Sequence, residues 1–336
     1  MSKRRRTLFG GSLIAAIVLL VGTSAASGAP QRPPSEPPFS HVFVIMMENT
    51  GIEALLNNPN APWINQAVKT YGVAGNYYGV THPSQPNYIA ATAGTRAGVP
   101  DDSDVTVDLP NIVDQLESHG KSWKGYMQGY ALCTTKLAHA CGNQLYERKH
   151  NPFISFADVQ NDPQRVAKLV DFSQLHDDLA ANTVPDYSWI SPDQCNDMHG
   201  RGGGGPSDPC DFSNEQLLIQ AGDTFLANTV GEIMSSEAWG PNSVIFVTWD
   251  ESDFTGSPTD FGFGDTRGCC DASPGGGHVL TLVIRGDQHE PDASFTAYNH
   301  YSMLRTIEDN WGLGCLANTC DTANVPAMTD LVDRRR

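Results

Sequence analysis

Three continuous apolar runs of strand length mark the chain. They cover His41–Met47, Val244–Trp249 and Val279–Ile284. Apolar residues at successive positions are typical of strands buried on both faces of a sheet, with helices covering it. Between the runs, the pattern predicts helices over Ala61–Tyr71, Asn111–His119, Asp223–Ser236 and Tyr301–Trp311. The alternation predicts an α/β fold with a largely parallel central sheet.

The first 29 residues have the layout of a cleaved signal peptide. Basic residues at Lys3–Arg6 precede a short apolar stretch, Leu13–Val21, and small residues follow up to Ala29. The apolar stretch is shorter than a membrane-spanning helix requires. No cysteine lies near the expected cleavage point, so we expect a secreted protein without a stable membrane anchor.

The rest of the chain predicts one domain. Residues 30–39 are Pro-rich and polar and predict a tether, whereas residues 40–333 contain no internal repeat and no second linker of that kind. Within this domain, Gly200–Pro209 predicts a flexible surface loop. It lacks the Lys-Ser/Thr ending of a phosphate-binding P-loop.

The net charge of the chain limits the classes of binding partner to be expected. The formal net charge is −17, and removing Lys3–Arg6 with the signal peptide would take it to about −21. Such acidity argues against nucleic acid or an anionic membrane surface as the main partner. It is compatible with a divalent cation, although a solvated acidic surface has the same composition. Local positive charge is needed if the substrate is an anion.

The eight cysteines predict disulfides, because an even number in an exported chain is typical of an oxidising compartment. Sequence neighbours favour the pairs 133–141, 195–210 and 315–320, which leaves Cys269 and Cys270 as an adjacent pair. No Cys/His spacing indicates structural zinc.

Two of the predicted strands end in carboxylates. Glu48-Asn49 follows the first strand, and Asp250-Glu251 follows the second. Ligands of open α/β sheets gather at the carboxyl ends of strands, where these oxygens could share one divalent cation. Single acidic residues also mark ordinary strand ends. Two such ends in one chain favour a metal site.

Ser84 lies between two prolines at the start of a small-residue helix, in Thr81-His-Pro-Ser-Gln-Pro-Asn-Tyr88. Prolines restrict the backbone on both sides of it, and a helix N-terminus favours a bound phosphate. A rigidly held hydroxyl at this position suits a nucleophile. The same pattern is typical of an N-cap serine, which local chemistry alone favours.

Six ordered motifs over residues 40–315 resemble the bacterial and fungal phosphoesterase family. They are Met-Met-Glu48-Asn49, His82-Pro-Ser84-x-Pro-Asn-Tyr88, Tyr146-x-Arg-Lys-His150-Asn-Pro-Phe153, Ser191-Pro-x-x-Cys-Asn196-Asp197-Met-His199, Val247-Thr-Trp-Asp250-Glu251 and His300-Tyr-Ser-x-Leu-Arg-Thr-Ile-Glu-Asp-Asn-x-Gly312. That family holds secreted acid phosphatases and phospholipases C of alkaline-phosphatase-like fold, with a mostly parallel sheet between helices. Within it, the motifs resemble those of acid phosphatases exported by mycobacteria, which act on phosphatidylinositol 3-phosphate.

The resemblance implies roles for the matching residues. Ser84 matches the nucleophile, which is also a metal ligand, and His150 and His199 match histidines that contact the phosphate or its leaving oxygen. The remaining metal positions match Glu48, Asn49, Asp250 and Glu251. We expect Asp197 to orient a histidine or act as a further ligand. The residues expected to contact the substrate are Arg148, Lys149 and Asn87.

These expectations describe a metal-dependent hydrolase of phosphate monoesters, either small molecules or phospholipids. Carboxylate and amide ligands favour Mg²⁺, Mn²⁺, Ca²⁺ or Fe. Protonation of the histidines near pH 5–6 would explain an acid optimum. Two alternatives remain open: a phospholipase C acting on diesters, and an extracellular binding protein that kept the fold and lost catalysis. The Gly-rich loop after His199 and the insert Gly268–Gly277 depart from the family pattern near the substrate entrance.

Overall fold

The computed structural model describes residues 38–252, 265–288 and 290–333. The predicted signal peptide and residues 30–37 of the predicted tether lie outside this part. Phe39, the last tether residue, is buried, and its amide donates to Asn310 Oδ1 at 2.7 Å. The packed domain therefore includes Phe39. No helix among the described residues has the length and apolar character needed to cross a membrane.

The described residues form ten strands and ten α-helices. The strands are β1 Val42–Met47, β2 Gly72–Tyr78, β3 Trp123–Met127, β4 Ala140–Cys141, β5 Tyr146–Glu147, β6 Leu169–Asp171, β7 Tyr187–Ser191, β8 Val244–Trp249, β9 His278–Arg285 and β10 Asp292–Asn299. The helices are α1 Ile52–Leu55, α2 Pro62–Ala67, α3 Ser84–Ala93, α4 Ile112–Ser118, α5 Ala157–Gln160, α6 Pro163–Val166, α7 Ser173–Ala180, α8 Glu215–Ser235, α9 His300–Trp311 and α10 Thr329–Val332.

An eight-stranded sheet in the order β10-β2-β9-β8-β1-β7-β3-β6 forms the centre of the molecule. Within the described residues, five of its seven neighbouring pairs are parallel, and only β9 runs antiparallel to its neighbours β2 and β8. Every residue of β1 and β8 is buried, as expected for strands covered on both faces. The predicted α/β class with a mostly parallel sheet is confirmed.

The predicted elements are present with shifted ends. The four predicted helices correspond to α2, α4, α8 and α9, of which α8 begins at Glu215 rather than at Asp223. The third apolar run forms β9, the antiparallel strand. Strands β2, β3, β6, β7 and β10 carry no continuous apolar run and were not predicted.

All eight cysteines lie in the described residues and are paired. The predicted disulfides Cys133–Cys141, Cys195–Cys210 and Cys315–Cys320 are present, and Cys269 bonds to Cys270. The Cys195–Cys210 bond closes the predicted Gly-rich loop at the surface. Within that loop, Arg201 donates to Asp208 Oδ2 at 3.0 Å.

Candidate active site

The carboxyl ends of β1 and β8 bring the predicted metal ligands together. These strands pair in parallel with Met47 opposite Trp249, so the residues that follow them leave the sheet side by side. The Asn49 amide donates to Asp250 Oδ1 at 3.1 Å. Asn49 has a positive φ of 43°, a region that asparagine tolerates better than most residues. Glu48, Asp250 and Glu251 are fully buried.

Ser84 faces these carboxylates. It is the first residue of α3, and the Pro83 that precedes it supplies no side-chain cap. The Ser84 hydroxyl donates to Glu48 Oε2 at 3.0 Å and lies 3.4 Å from Asn49 Oδ1. The structure thus places Ser84 in the site, and its side chain does not cap the helix.

Burial raises the pKa of the Glu48, Asp250 and Glu251 carboxyls well above the usual range, and repulsion among the three adds to this. The Lys149 ammonium opposes the shift at each of them. Burying several carboxyls together is costly unless a cation compensates their charge. Their electrostatics therefore favour a bound cation.

The oxygen atoms of the site also fit a hard divalent cation. The Asn49 side-chain oxygen faces two acceptors, Glu48 Oε2 and Glu251 Oε1, each at 3.1 Å. A cation among these oxygens, or a turned amide, would satisfy them. Asp250 Oδ2 is buried without a hydrogen-bond partner. No group of three or more His, Cys, Asp or Glu side chains in the described part of the chain is arranged to hold a metal. The fit therefore depends on the Asn49 and Ser84 oxygens as well.

The predicted histidines line the other side of Glu48. His150 Nε2 lies 3.1 Å from Glu48 Oε1, and His150 Nδ1 lies 3.5 Å from Asp197 Oδ2. The His150 ring stacks on Tyr88 with centroids 5.3 Å apart. The His199 ring lies 6.1 Å from that of His150. Asp197 Oδ1 accepts the His199 backbone amide at 2.8 Å.

Burial works against the expected protonation of these rings near pH 5–6. Burial lowers the pKa of His150 well below its usual range and that of His199 to about 4, and the Lys149 charge adds to both shifts. Burial therefore favours the neutral form of both rings. His199 Nδ1 lies 2.6 Å from the Gly200 carbonyl and donates to it, which leaves Nε2 as the acceptor nitrogen.

Two of the expected substrate contacts serve the local fold instead. Asn87 is buried, its Oδ1 accepts the Val80 and Thr81 amides at 2.9 and 3.0 Å, and its Nδ2 donates to two carbonyls. Arg148 is buried and donates to the Val105 carbonyl at 3.0 Å. These hydrogen bonds hold the loops around the site, so the structure gives both residues a structural position.

Lys149 is held at the site by Asp102, a residue that the sequence did not indicate. Its Nζ donates to Asp102 Oδ2 at 2.9 Å, and Asp102 Oδ1 accepts the Gln85 amide at 2.9 Å. Burial disfavours the Lys149 charge, but Glu48 and Asp102 outweigh it and raise the pKa of the ammonium. Asp102 lies in a polar loop without an apolar pattern or motif, so no sequence signal marked it.

His82 also contacts the site. Its Nε2 lies 2.9 Å from the Asp265 carbonyl, and its Nδ1 lies 2.7 Å from Glu251 Oε2. Since a carbonyl can only accept, Nε2 donates to it, and Nδ1 faces the Glu251 carboxyl. His82 thereby orients a predicted metal ligand. Its position two residues before Ser84 was the available signal.

The family model described as the phosphoesterase family matches residues 54–314, more than three quarters of the chain. The chain belongs to the phosphoesterase family. Ser84, His150, His199 and Asp250 lie inside the matched range, whereas Glu48 precedes it.

Its curated relatives include phosphatases from fungi and bacteria. The chain is 25% identical over 296 residues to a probable acid phosphatase of Kluyveromyces lactis, covering 85% of this chain and 62% of the relative. It is 28% identical to a phosphatidylinositol-3-phosphatase of Mycobacterium tuberculosis, covering 88% of this chain and 83% of the relative. The chain thus spans about three fifths of the fungal relative's length.

Solved structures show the same fold. The phosphonate monoester hydrolase of Silicibacter pomeroyi superposes with a TM-score of 0.56 at 14% identity, covering 88% of this chain and 77% of that one. An alkaline phosphatase superfamily protein from Vibrio parahaemolyticus gives a TM-score of 0.54 at 12% identity, covering 84% and 68%. The expected alkaline-phosphatase-like fold is confirmed.

Proposed function

We propose that the chain is a secreted, metal-dependent acid phosphatase that hydrolyses phosphate monoesters through a phosphoserine on Ser84. The observation that carries the proposal is the Ser84 hydroxyl, which donates to Glu48 Oε2 at 3.0 Å where two parallel strands end. The family supports hydrolysis of phosphate esters. Eight paired cysteines fit an oxidising compartment and hence secretion.

The residues that would hold a divalent cation are Glu48, Asn49, Ser84, Asp250 and Glu251. Their oxygens suit Mg²⁺, Mn²⁺, Ca²⁺ or Fe. When bound, such an ion polarises a phosphoryl oxygen and lowers the pKa of the serine hydroxyl. It also compensates the buried carboxylates, whose mutual repulsion otherwise favours their protonated forms.

The chain's own residues then carry the proton transfers. Ser84 Oγ forms a bond to phosphorus as the bond from phosphorus to the leaving oxygen breaks, and the hydroxyl proton passes to Glu48. The same proton then passes from Glu48 through His150, whose Nε2 lies 3.1 Å from Glu48 Oε1, to the leaving oxygen. Water then attacks phosphorus as the Oγ–P bond breaks, and the proton that the water loses goes to Ser84 Oγ. Lys149 and the Ser84 amide at the start of α3 stabilise the phosphoryl charge.

Phosphatidylinositol 3-phosphate is a candidate substrate, because the Mycobacterium tuberculosis relative is named for it. The chain covers most of that relative, in contrast to the fungal ones. A phospholipase C-type diesterase and a non-catalytic binder are the alternatives that the assay must separate.

The test is hydrolysis of three esters by the purified protein, with and without chelator: p-nitrophenyl phosphate, bis(p-nitrophenyl) phosphate and phosphatidylinositol 3-phosphate. We expect monoester turnover that chelator abolishes. Ser84→Ala should lower kcat by several orders of magnitude with a much smaller change in KM, because the other groups still bind phosphate. Ser118→Ala, in α4, is the matched control and should keep full activity.

Acid quenching with labelled monoester should trap the label on Ser84. Retained activity in Ser84→Ala would end the covalent mechanism. Faster diester hydrolysis would favour the phospholipase C alternative, and no hydrolysis of any ester would favour the binding protein.

A further inference from the structure

The carboxylate of Asp102 joins two parts of the site that the fold brings together from distant segments. It lies in the loop between α3 and α4, 17 residues after Gln85 and 47 before Lys149. One oxygen binds each partner, both at 2.9 Å. Asp102 is therefore shared between the helix that carries Ser84 and the 3₁₀ turn Arg148–His150 that carries Lys149 and His150.

Its first contact caps α3 from a distance. The first amides of a helix have no partner within the helix, and the residue before α3 is Pro83, whose side chain cannot accept a hydrogen bond. Asp102 Oδ1 accepts the Gln85 amide in its place. This contact fixes the helix terminus one residue beyond Ser84.

Its second contact fixes the direction of the Lys149 side chain. Lysine is a flexible point charge, and a carboxylate partner restricts where its ammonium lies. The Lys149 side chain is only 13% exposed, and its charge acts on Glu48, Asp197, Asp250 and Glu251. The bond to Asp102 thus fixes the ammonium where its charge still acts on the carboxylates that surround Ser84.

We propose that Asp102 is a positioning residue that directs the Lys149 ammonium at a phosphate bound to Ser84, and that this pair makes the site selective for monoesters over diesters. The inference rests on the proposed function and deepens it. A monoester carries one negative charge more than a diester, and a fixed ammonium stabilises that additional charge. A diester has a neutral ester oxygen at the same place and gains less.

The experiment compares kcat/KM for p-nitrophenyl phosphate and bis(p-nitrophenyl) phosphate in the metal-loaded protein. Lys149→Met should lower the monoester value roughly 10- to 100-fold, the size of one charge-assisted hydrogen bond, and leave the diester value within about threefold. Asp102→Asn keeps an acceptor for the Gln85 amide but turns an amide nitrogen towards the ammonium. This variant should lower kcat/KM for the monoester about tenfold and likewise leave the diester value within about threefold.

The double variant tests whether the two residues act as one unit. Asp102→Asn combined with Lys149→Met should be no worse on the monoester than Lys149→Met alone. Asp101→Asn, in the same loop, is the matched control: its carboxylate accepts the Ser103 amide, and the change should alter hydrolysis of neither substrate. If Asp102→Asn does not fold, Asp102→Glu keeps the charge but displaces it, and it should likewise reduce the monoester preference.

Equal losses on both esters, or additive losses in the double variant, would reduce Asp102 to a structural residue and overturn the inference. An unchanged or increased monoester preference in Asp102→Asn would do the same. Failure of the wild-type protein to hydrolyse either ester would instead overturn the proposed function, so the two failures are distinguishable.

Discussion

At the scale of single residues, burial decides what each polar group can do. Ser84 has the sequence surroundings of an N-cap serine, yet its hydroxyl donates to Glu48 because parallel pairing of β1 and β8 places the carboxylates opposite the start of α3. Burial lowers the pKa of both His150 and His199 and so disfavours their protonated forms. Protonation of these two rings at acid pH would have to overcome that cost.

Removal of single carboxylates tests the metal site directly. Glu48→Gln and Asp250→Asn should each lose bound divalent metal, because each removes a charge that compensates the cation while preserving shape. Metal content after dialysis, measured by inductively coupled plasma mass spectrometry, checks this, with thermal unfolding as the test of folding. Glu308→Gln removes another buried carboxyl outside the site and serves as control. Wild-type metal content in both site variants would show that these residues are not ligands.

At the scale of elements, α3 is a platform held at both ends by other segments. Asp102 caps its first turn, and its C-cap Gly94 accepts the Asn318 amide at 3.0 Å from the loop closed by Cys315–Cys320. All ten residues of the helix are buried. A helix fixed in this way presents Ser84 in one orientation, as a nucleophile requires.

Gly94 offers a stability test of this platform. Its φ is 67°, and a Cβ there would lie 2.1 Å from the Leu316 carbonyl oxygen. Gly94→Ala should therefore cost about 3 kcal/mol or more in the free energy of unfolding, from the left-handed backbone plus the clash. Gly98 has a similar φ of 71° with open space around it, so Gly98→Ala should cost only about 1 kcal/mol. Equal costs in urea unfolding would contradict the close packing of α3 on the C-terminal loop.

The elements that could be predicted from sequence are those with a strong local pattern. The continuous apolar runs located β1, β8 and β9. The carboxylates that follow β1 and β8 located half of the site. Strand β2 reads Gly-Val-Ala-Gly-Asn-Tyr-Tyr, and β3 contains Lys124 and Gly125, so neither has the composition typical of a strand. They form because neighbouring strands supply hydrogen bonds and burial, which no local window contains.

The same limit applies to the site. Ser84, His150, His199 and Asp197 lie in motifs, whereas Asp102 acquires its position through contacts 17 and 47 residues away. Asn87 and Arg148 are in motifs too, but their partners are backbone groups. A motif marks a residue that the family needs, and only the three-dimensional contacts separate a substrate contact from a structural hydrogen bond.

At the scale of the whole molecule, the proposed function requires a negatively charged protein to bind a negatively charged substrate. The formal charge of −17 opposes any phosphate ester at long range, and the site itself holds four buried carboxyls. In the proposed mechanism a metal ion, Lys149 and the start of α3 would act at short range, where low dielectric strengthens their attraction for phosphate. Salt screens the long-range repulsion more than these contacts, so attraction is confined to the site.

The pH dependence of stability gives a last test, centred on Glu308. This residue lies in α9, accepts from Gln115 Nε2 at 3.0 Å and is fully buried, and burial raises the pKa of its carboxyl to about 8. In the unfolded chain the same carboxyl has a pKa of about 4.3. Between these two values the folded protein holds a proton that the unfolded chain has lost. The free energy of unfolding should therefore fall as pH rises through this window, with a contribution of up to about 1.4 kcal/mol per pH unit from Glu308.

Glu308→Gln is neutral at every pH and preserves the acceptor for Gln115, so it should remove that contribution. Urea unfolding of both proteins from pH 4 to pH 8 measures the difference, in which titration of the carboxyls in the site cancels. We expect the variant to gain stability relative to the wild type as pH increases. Parallel curves would mean that Glu308 is already ionised in the folded protein and that its environment is more polar than its burial implies.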